Sequence, residues 1–327
     1  MYDDLELFHR IAVLIPVYFR PKEDPQLIRD ILADTFRHQD LFSPRENILA
    51  VVDRDTVAEE ILRGAESTDP FHDTRILSLQ KNRCKAGAVR EGLKLLLENK
   101  KLEFFITRDC DGDHFVEDMP RMVSLLERAF KITGNTNLCA MGSRASLDKP
   151  MGFVRREWEV LTNDIMTGML KCRMGRDGRV MDERLWNGLP PDIQSGYRAY
   201  SRDAAIIAVE CLERLPEDRT ILKFACEFEP FVDISLNGGL FVQINRLTLV
   251  EQPVSSFADS DFSLEYGSYL KYLAGRLSIT AESSLVLFDN ALSRCSLFFT
   301  DHRDELHRCR EIIAGRSIPP PIQPPFV

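Results

Sequence analysis

No stretch of this 327-residue chain approaches the roughly 20 uninterrupted apolar residues that a membrane-spanning helix requires. The apolar run over 11–19 contains Pro16 and is too short to span. Asp3, Asp4 and Glu6 make the first residues acidic where a secretory leader would be basic, so no export signal is expected. Positive charge is also in deficit: 42 Lys+Arg face 51 Asp+Glu, a net charge of -9. A general nucleic-acid binder needs the opposite surplus to displace phosphate counterions, so no nucleic-acid partner is expected. The eight cysteines contain no C-x-x-C pair and no regular spacing. Neither a disulfide framework nor a zinc site is expected; reduced thiols in a cytoplasmic or membrane-peripheral protein are. No internal repeat is present. What remains is an ordinary globular composition, 44% hydrophobic and 28% charged, of a length suited to two domains at most or one large domain with an appendage.

The first 145 residues alternate short apolar runs with amphipathic stretches. Strands are expected at 11–15, stopped by Pro16, and at 48–52, 75–79, 104–106 and 138–141. Helices are expected at 26–37, 57–62, 86–97 and 119–132, from apolar residues at helical spacing. Short, fully apolar strands separated by helices imply a mainly parallel sheet covered on both faces. After residue 150 the pattern loosens. A helix is expected over 153–170, a Gly/Arg-rich loop over 173–179, strand character over 195–200 and a helix over 203–215. Two short strands are expected within 240–250. Residues 260–315 read as an all-helical appendage and 316–327 as a proline-rich tail.

A parallel sheet binds ligands beyond the carboxyl ends of its strands, where the loops converge. Those ends carry Pro16, Val17 and Tyr18; Asp53, Arg54 and Asp55; Asn82, Arg83, Cys84 and Lys85; and Asp109, Cys110, Asp111, Gly112 and Asp113. Asp109 and Asp111, two apart at the end of a buried strand, are hard oxygen ligands for Mg²⁺ or Mn²⁺ bridging a substrate diphosphate, and Asp113 adds a third oxygen. Taken alone the segment is also compatible with an acidic turn; its place on a rim shared with the other loops favours the metal. The stretch 82–88 opens a helix, suited either to anion binding beside Lys85 or to plain capping by Asn82. Asp53 is either an acceptor for a nucleobase or ribose, or a turn residue.

In this order the features resemble the GT-A nucleotide-sugar glycosyltransferases of family 2, nearest the dolichyl-phosphate mannose synthase-like branch. The matching segments are Ile15-Pro16-Val17-Tyr18, Val51-Val52-Asp53, 82–88, the run from Asp109 to Pro120, Gly142-Ser143-Arg144, and Asp192 to Arg198. Together they span roughly residues 10–257. The resemblance implies a nucleotide-binding, Rossmann-like α/β domain over 1–259. Pro16, Tyr18 and Asp53 would hold the nucleoside, with Asn82 and Lys85 beside it or the diphosphate. Asp109, Cys110 and Asp111 would meet ribose, diphosphate and metal, Asp111 taking a catalytic part through the metal. It also implies Arg144 and one of Arg155 or Arg156 directed at phosphate groups, and Ser195 to Arg198 lining the sugar and acceptor side. The sequence departs from the family at Phe19-Arg20, at Arg54, which replaces the second aspartate of the strand-two pair, and at Cys84, which replaces a glycine.

The expected activity is metal-dependent transfer of a sugar from a nucleoside diphosphate donor to an unidentified acceptor, a phosphate or a hydroxyl. Asp192 and Glu229 are the acidic candidates for a base, needed only if the acceptor is a hydroxyl. The rivals are a sugar-phosphate nucleotidylyltransferase, which shares the sheet type, and a degenerate member kept as a binding or scaffold subunit. The 173–179 loop is either a lid over the diphosphate or a solvated linker. His302, His307 and Cys309 do not share a helix face and are not expected to hold metal. Leu285, Leu287, Phe288, Leu292 and Phe298 are read as packing residues or as homodimer contacts through the C-terminal helices.

Overall fold

The computed structural model describes residues 4–144, 146, 148–183, 191–223, 225–246 and 260–316. Residues 247–250 of the segment expected to hold two strands, residue 259 at the expected boundary and the proline-rich tail from 317 lie outside the described residues. In chain order the elements are α1 (Asp4–Phe8), β1 (Ile11–Val17), α2 (Pro25–Phe36), β2 (Ile48–Asp53), α3 (Thr56–Arg63), β3 (Arg75–Leu79) and α4 (Cys84–Leu97). They continue with β4 (Phe104–Thr107), α5 (Asp118–Thr133), β5 (Leu138–Arg144), α6 (Asp148–Arg176), β6 (Arg198–Ser201), α7 (Arg202–Glu213), α8 (Arg219–Leu222), α9 (Ala225–Leu236) and β7 (Leu240–Arg246). Three further helices follow: α10 (Phe262–Arg276), α11 (Ala281–Leu292) and α12 (Arg303–Ile313).

The strands form one sheet in the order β3-β2-β1-β4-β6-β5-β7. All pair in parallel except β6, which runs antiparallel to both β4 and β5. This is the expected mainly parallel, Rossmann-like α/β sheet flanked by helices, with a helical C-terminal region. The central strands β1, β2 and β4 are almost wholly apolar and buried, as expected where both faces are covered. Ile11, Val13 and Ile15 of β1 share a core with Ile28 and Ile31 of α2 and Met119 and Met122 of α5. The alternate residues face α4: a Cβ on Gly92 would meet Leu14 at 2.2 Å and Val51 at 2.8 Å.

β1 does not stop at Pro16 but runs through it to Val17. Pro16 pairs with Val51 of β2, whereas the β4 pairing ends at Leu14. At Pro16 the strand has no neighbour on the β4 side, so the missing N–H leaves no ladder bond unmade. The single antiparallel strand matters for function. A parallel strand delivers its end to the rim, whereas an antiparallel one delivers its beginning, so residues 195–198 arrive beside the carboxyl end of β4 with Arg198 opposite Thr107.

The chain divides into two units, Met1–Gly152 with Asp182–Ser256, and Phe153–Met181 with Phe257–Val327. The helix expected at 153–170 therefore belongs with the C-terminal helices, not with the sheet. The break is Gly152, whose φ of +74° and ψ of 167° kink α6. Beyond it the buried Trp158 stacks on Tyr266 of α10 at 6.0 Å, and Glu157 accepts the Ser296 amide at 2.5 Å. The expected loop at 173–179 is helical as far as Arg176, with Arg173 and Asp177 paired across one turn. Among the described residues no helix is long and apolar enough to cross a membrane, and all eight cysteines are free thiols.

Candidate active site

The switch in strand order lies between β1 and β4, since the chain winds outward through β2 and β3 on one side and through β4 on the other. Loops diverge above such a point and leave a crevice. β4 ends at Thr107, and the next residues form the acidic turn. The Arg108 amide donates to Leu14 O at 3.0 Å, which carries the turn across the end of β1. Gly112, at φ +75°, reverses the chain, and Asp111 Oδ1 accepts the Asp113 amide at 3.1 Å.

The three aspartates have three different fates. Asp113 is 5% exposed, and its Oδ2 accepts from Arg246 Nη2 at 3.1 Å and Nη1 at 3.2 Å, while Arg246 Nη1 also reaches Asp113 O at 2.9 Å. It is thereby tied to the end of β7 through Oδ2 and its carbonyl, an ion pair that competes with use of this carboxylate as a third metal oxygen. Asp109 Oδ1 lies 2.6 Å from Lys85 Nζ. Asp111 is pushed up to about 6 by burial and by the charges of Asp109 and Asp113. Among the described residues no three His, Cys, Asp or Glu side chains converge on one ion. A cation here would have Asp109 and Asp111 as its protein oxygens, the arrangement Mg²⁺ accepts when substrate phosphates and water complete its shell. Two features fit that use. The local charge disfavours the ionised Asp111, and the missing side chain at Gly196 lets its backbone lie close against Asp109: a Cβ there would meet its oxygens at 2.5 and 2.7 Å.

His114 shapes the turn from beneath. Its Nδ1 accepts the Asp109 amide at 3.0 Å, its ring stacks on Tyr197 at 4.6 Å and 8°, and its carbonyl accepts from Arg108. Burial, reinforced by the nearby Arg246 and Arg108, holds it well below the usual histidine range. The ring is therefore neutral, with its proton on Nε2.

The loops expected to hold a nucleoside are tied together by side chains. Asp55 caps α3 through the Ala58 amide and also accepts the Phe19 amide at 2.7 Å, tying the first loop to the second. Tyr18 is exposed, and desolvation pushes the partly buried Cys110 thiol up to about 12. Asp53 is buried, and its Oδ1 accepts the Arg83 amide at 2.7 Å, so that oxygen serves as a cap for the loop before α4. Asn82 Oδ1 accepts the Cys84 amide at 3.3 Å and lies 3.4 Å from Arg219. Cys84 has a left-handed backbone, with φ +57°, and so has Arg54 in the second loop, at φ +58°.

On the acceptor side the structure spends most of the expected residues on itself. Arg144 clasps Asp192 through Nε to Oδ2 at 2.8 Å and Nη2 to Oδ1 at 2.6 Å, with its own amide on Oδ2 at 3.0 Å. Burial alone would raise the Asp192 pKa, but this arginine holds it below the usual carboxylate range, which makes a poor base. Ser195 donates to Gly142 O at 2.6 Å and is buried. Glu229 is 1% exposed. Arg155 pairs with Glu159, and Arg156 with Glu157, in the other unit. Arg198 does reach the rim, lining a small pocket of about 10 Å³ with Pro16, Lys85, Asp109, Gly196 and Glu227.

Glu227 and Arg246 were not among the expected site residues. No element was expected over 225–236, where the structure has α9 with Pro230 inside it. Read as a helix, 227 and 229 point about 200° apart, so one of them had to face away from the rim.

No protein-family model matches the chain, and no curated protein matches it. Solved structures similar to it include a CMP:2-keto-3-deoxy-manno-octonic acid synthetase complexed with CTP, at 12% identity and TM-score 0.38 over 73% of this chain and 90% of that one. Another is a cytidylyltransferase from Leptospira borgpetersenii serovar Hardjo-bovis, at 10% identity and TM-score 0.41 over 83% and 96%. A third is the 4-diphosphocytidyl-2C-methyl-D-erythritol synthase from Anaerococcus prevotii, at 12% identity and TM-score 0.35 over 79% and 97%. None of the three is described as a glycosyltransferase, and at these scores none assigns an activity to this chain.

Proposed function

We propose that this chain is a cation-assisted transferase that binds a nucleoside phosphate at the carboxyl rim of its sheet and works with a phosphate-bearing acceptor. The observation that carries the reading is the placement of Asp109 and Asp111 directly beyond β4, beside the switch in strand order. Asp109 and Asp111 would hold Mg²⁺ or Mn²⁺, which supplies charge neutralisation at a departing diphosphate or pyrophosphate. Tyr18, which is exposed, would cover the nucleoside, and the start of α4, where Arg83 provides no side-chain cap, would favour an anion nearby.

The acceptor follows from what is tied up. Asp192 is neutralised by Arg144 and Glu229 is buried, so neither would take a proton from an incoming hydroxyl. A phosphate oxygen is already anionic and needs no base. Two chemistries meet that condition. The ordered motifs support glycosyl transfer from a nucleoside diphosphate sugar, as in the family 2 resemblance. Nucleotidylyl transfer, the reaction the cytidylyltransferase above is named for, would use a sugar phosphate as nucleophile and is equally free of a base.

Thermal unfolding with UDP-, GDP- and dTDP-sugars and with CTP, each with and without Mn²⁺, separates them. A ligand at 100 times its Kd adds about 2.7 kcal/mol of apparent stability. The reading expects a cation-dependent shift that disappears in Asp111→Ala. A shift with nucleoside diphosphate sugars selects glycosyl transfer, and a shift with CTP selects nucleotidylyl transfer. No shift with any of them refutes the enzyme in favour of a scaffold.

A further inference from the structure

The small pocket behind the acidic turn holds two cations and two anions: Lys85 and Arg198 against Asp109 and Glu227. Lys85 Nζ stands between the two carboxylates, 2.6 Å from Asp109 Oδ1 and 2.5 Å from Glu227 Oε1. Glu227 is itself fixed, because its other oxygen accepts the Cys226 thiol at 2.8 Å and the residue is largely buried. Gly196 makes this approach physically available: a Cβ there would lie 2.8 Å from the ammonium as well as against Asp109. Asp109 therefore has two claimants, the ammonium it already holds and the cation that the functional reading assigns to it.

We propose that Lys85 is an internal counter-ion that holds Asp109 until a divalent cation takes it, and that Glu227 is the positioning residue that keeps the ammonium paired while Asp109 changes partner. This rests on the cation reading of Asp109 and Asp111. The two residues act with opposite sign. Lys85 competes with the cation for one carboxylate, so its charge weakens cation binding. Glu227 gives the displaced ammonium a remaining carboxylate; without it, releasing Asp109 would strand a partly buried positive charge, which is costly.

The test is titration of the full chain with Mn²⁺ alone, following free Mn²⁺ by its electron paramagnetic resonance signal, with circular dichroism to show that each variant is folded. Lys85→Gln is expected to bind about tenfold more tightly and Glu227→Gln about tenfold more weakly, the size of one partly buried charge contact. The double variant is expected to return at least to wild-type affinity, since without the ammonium Glu227 has nothing to retain. Glu227→Asp, which keeps the charge, is expected to recover part of the loss. Asp111→Asn is expected to abolish binding in every background. If Glu227→Gln does not fold, Lys85→Gln decides alone: tighter binding supports the exchange, and unchanged or weaker binding overturns it. Wild-type binding that depends on Asp111 but is shifted in the same direction, or not at all, by both substitutions overturns the exchange and leaves the cation reading standing. No binding by either wild type or Lys85→Gln overturns both.

Discussion

Asp113 gives the sharpest separation between a ligand and a structural carboxylate. If it served a metal, removing it from the ion-free protein would relieve repulsion within an acidic cluster and raise stability slightly. The geometry argues the reverse. Asp113 and Arg246 are 5% and 2% exposed, and Asp113 provides both a carboxylate and a carbonyl to the guanidinium. Asp113→Ala leaves that guanidinium buried without its counter-charge, a loss of about 3–5 kcal/mol. Asp113→Asn keeps an acceptor but not the charge and is expected to cost about 1.5–3 kcal/mol. Combining Asp113→Ala with Arg246→Met removes both charges and is expected to recover part of the loss, so the two substitutions will not add. The measurement is urea unfolding at pH 7 in EDTA, comparing midpoints at unchanged m. Asp111→Asn is the internal control. It removes the carboxylate that its neighbours disfavour, pushed up to about 6, and is expected to stabilise the ion-free protein by about 1–3 kcal/mol. A loss below about 0.5 kcal/mol for Asp113→Ala, together with loss of the Mn²⁺ response, would restore Asp113 to the metal and refute the argument.

Cys84→Gly is expected to raise stability by about 1 kcal/mol in thermal or urea unfolding, because the φ of +57° at this site strains any residue with a Cβ; an equal loss would show that the thiol packs more tightly than the backbone suffers. Gly92→Ala forces a methyl to 2.2 Å from Leu14 and is expected to cost about 1–3 kcal/mol in the same assay, with a neutral result disproving the close seating of α4 on the sheet. His114 stays neutral in the folded chain below its unfolded pKa of about 6.5. From that pH downward the unfolded chain binds a proton that the folded one refuses, so this residue costs stability as pH falls, by up to about 1.4 kcal/mol per unit. Asp111, whose folded pKa is raised, acts in the opposite direction from about pH 6 downward, so the difference between wild type and His114→Asn is the quantity to follow from pH 7 to 5; a flat difference rejects the neutral imidazole.

The sheet was readable in one sequence because its signal is local. Five short apolar runs separated by helical periods specify parallel strands, and the structure places all five within about three residues of their expected limits. Elements whose signals compete were not readable. Pro16 looks like a strand terminator unless the register shows that its neighbour has already ended. α9 carries competing signals, an internal Pro230 and the acidic Glu227, Glu229 and Asp233, although all eleven residues from Ala225 to Ser235 are buried. The long helix crosses from one unit to the other at Gly152, where sequence offers only a glycine and the structure offers a φ of +74°.

The site was legible in a narrower sense. Motifs announce which side chains stand at the rim but not which opposite charges the topology will bring to them. Asp113 meets Arg246 from β7, 133 residues away, because β7 runs parallel to β5 and ends level with it. Asp192 meets Arg144 because the antiparallel β6 brings its leading loop back to the end of β5. Lys85 meets Glu227 through α9, an element absent from the sequence reading. In each case a carboxylate that looked chemically available had to be balanced, since a charge taken out of water without a partner costs more than the fold can spare. The same requirement works in reverse at Asp111. There burial and two neighbouring carboxylates raise the affinity for a proton, and a cluster arranged so that protonation is favourable near neutral pH is one in which a cation that displaces the proton gains the most.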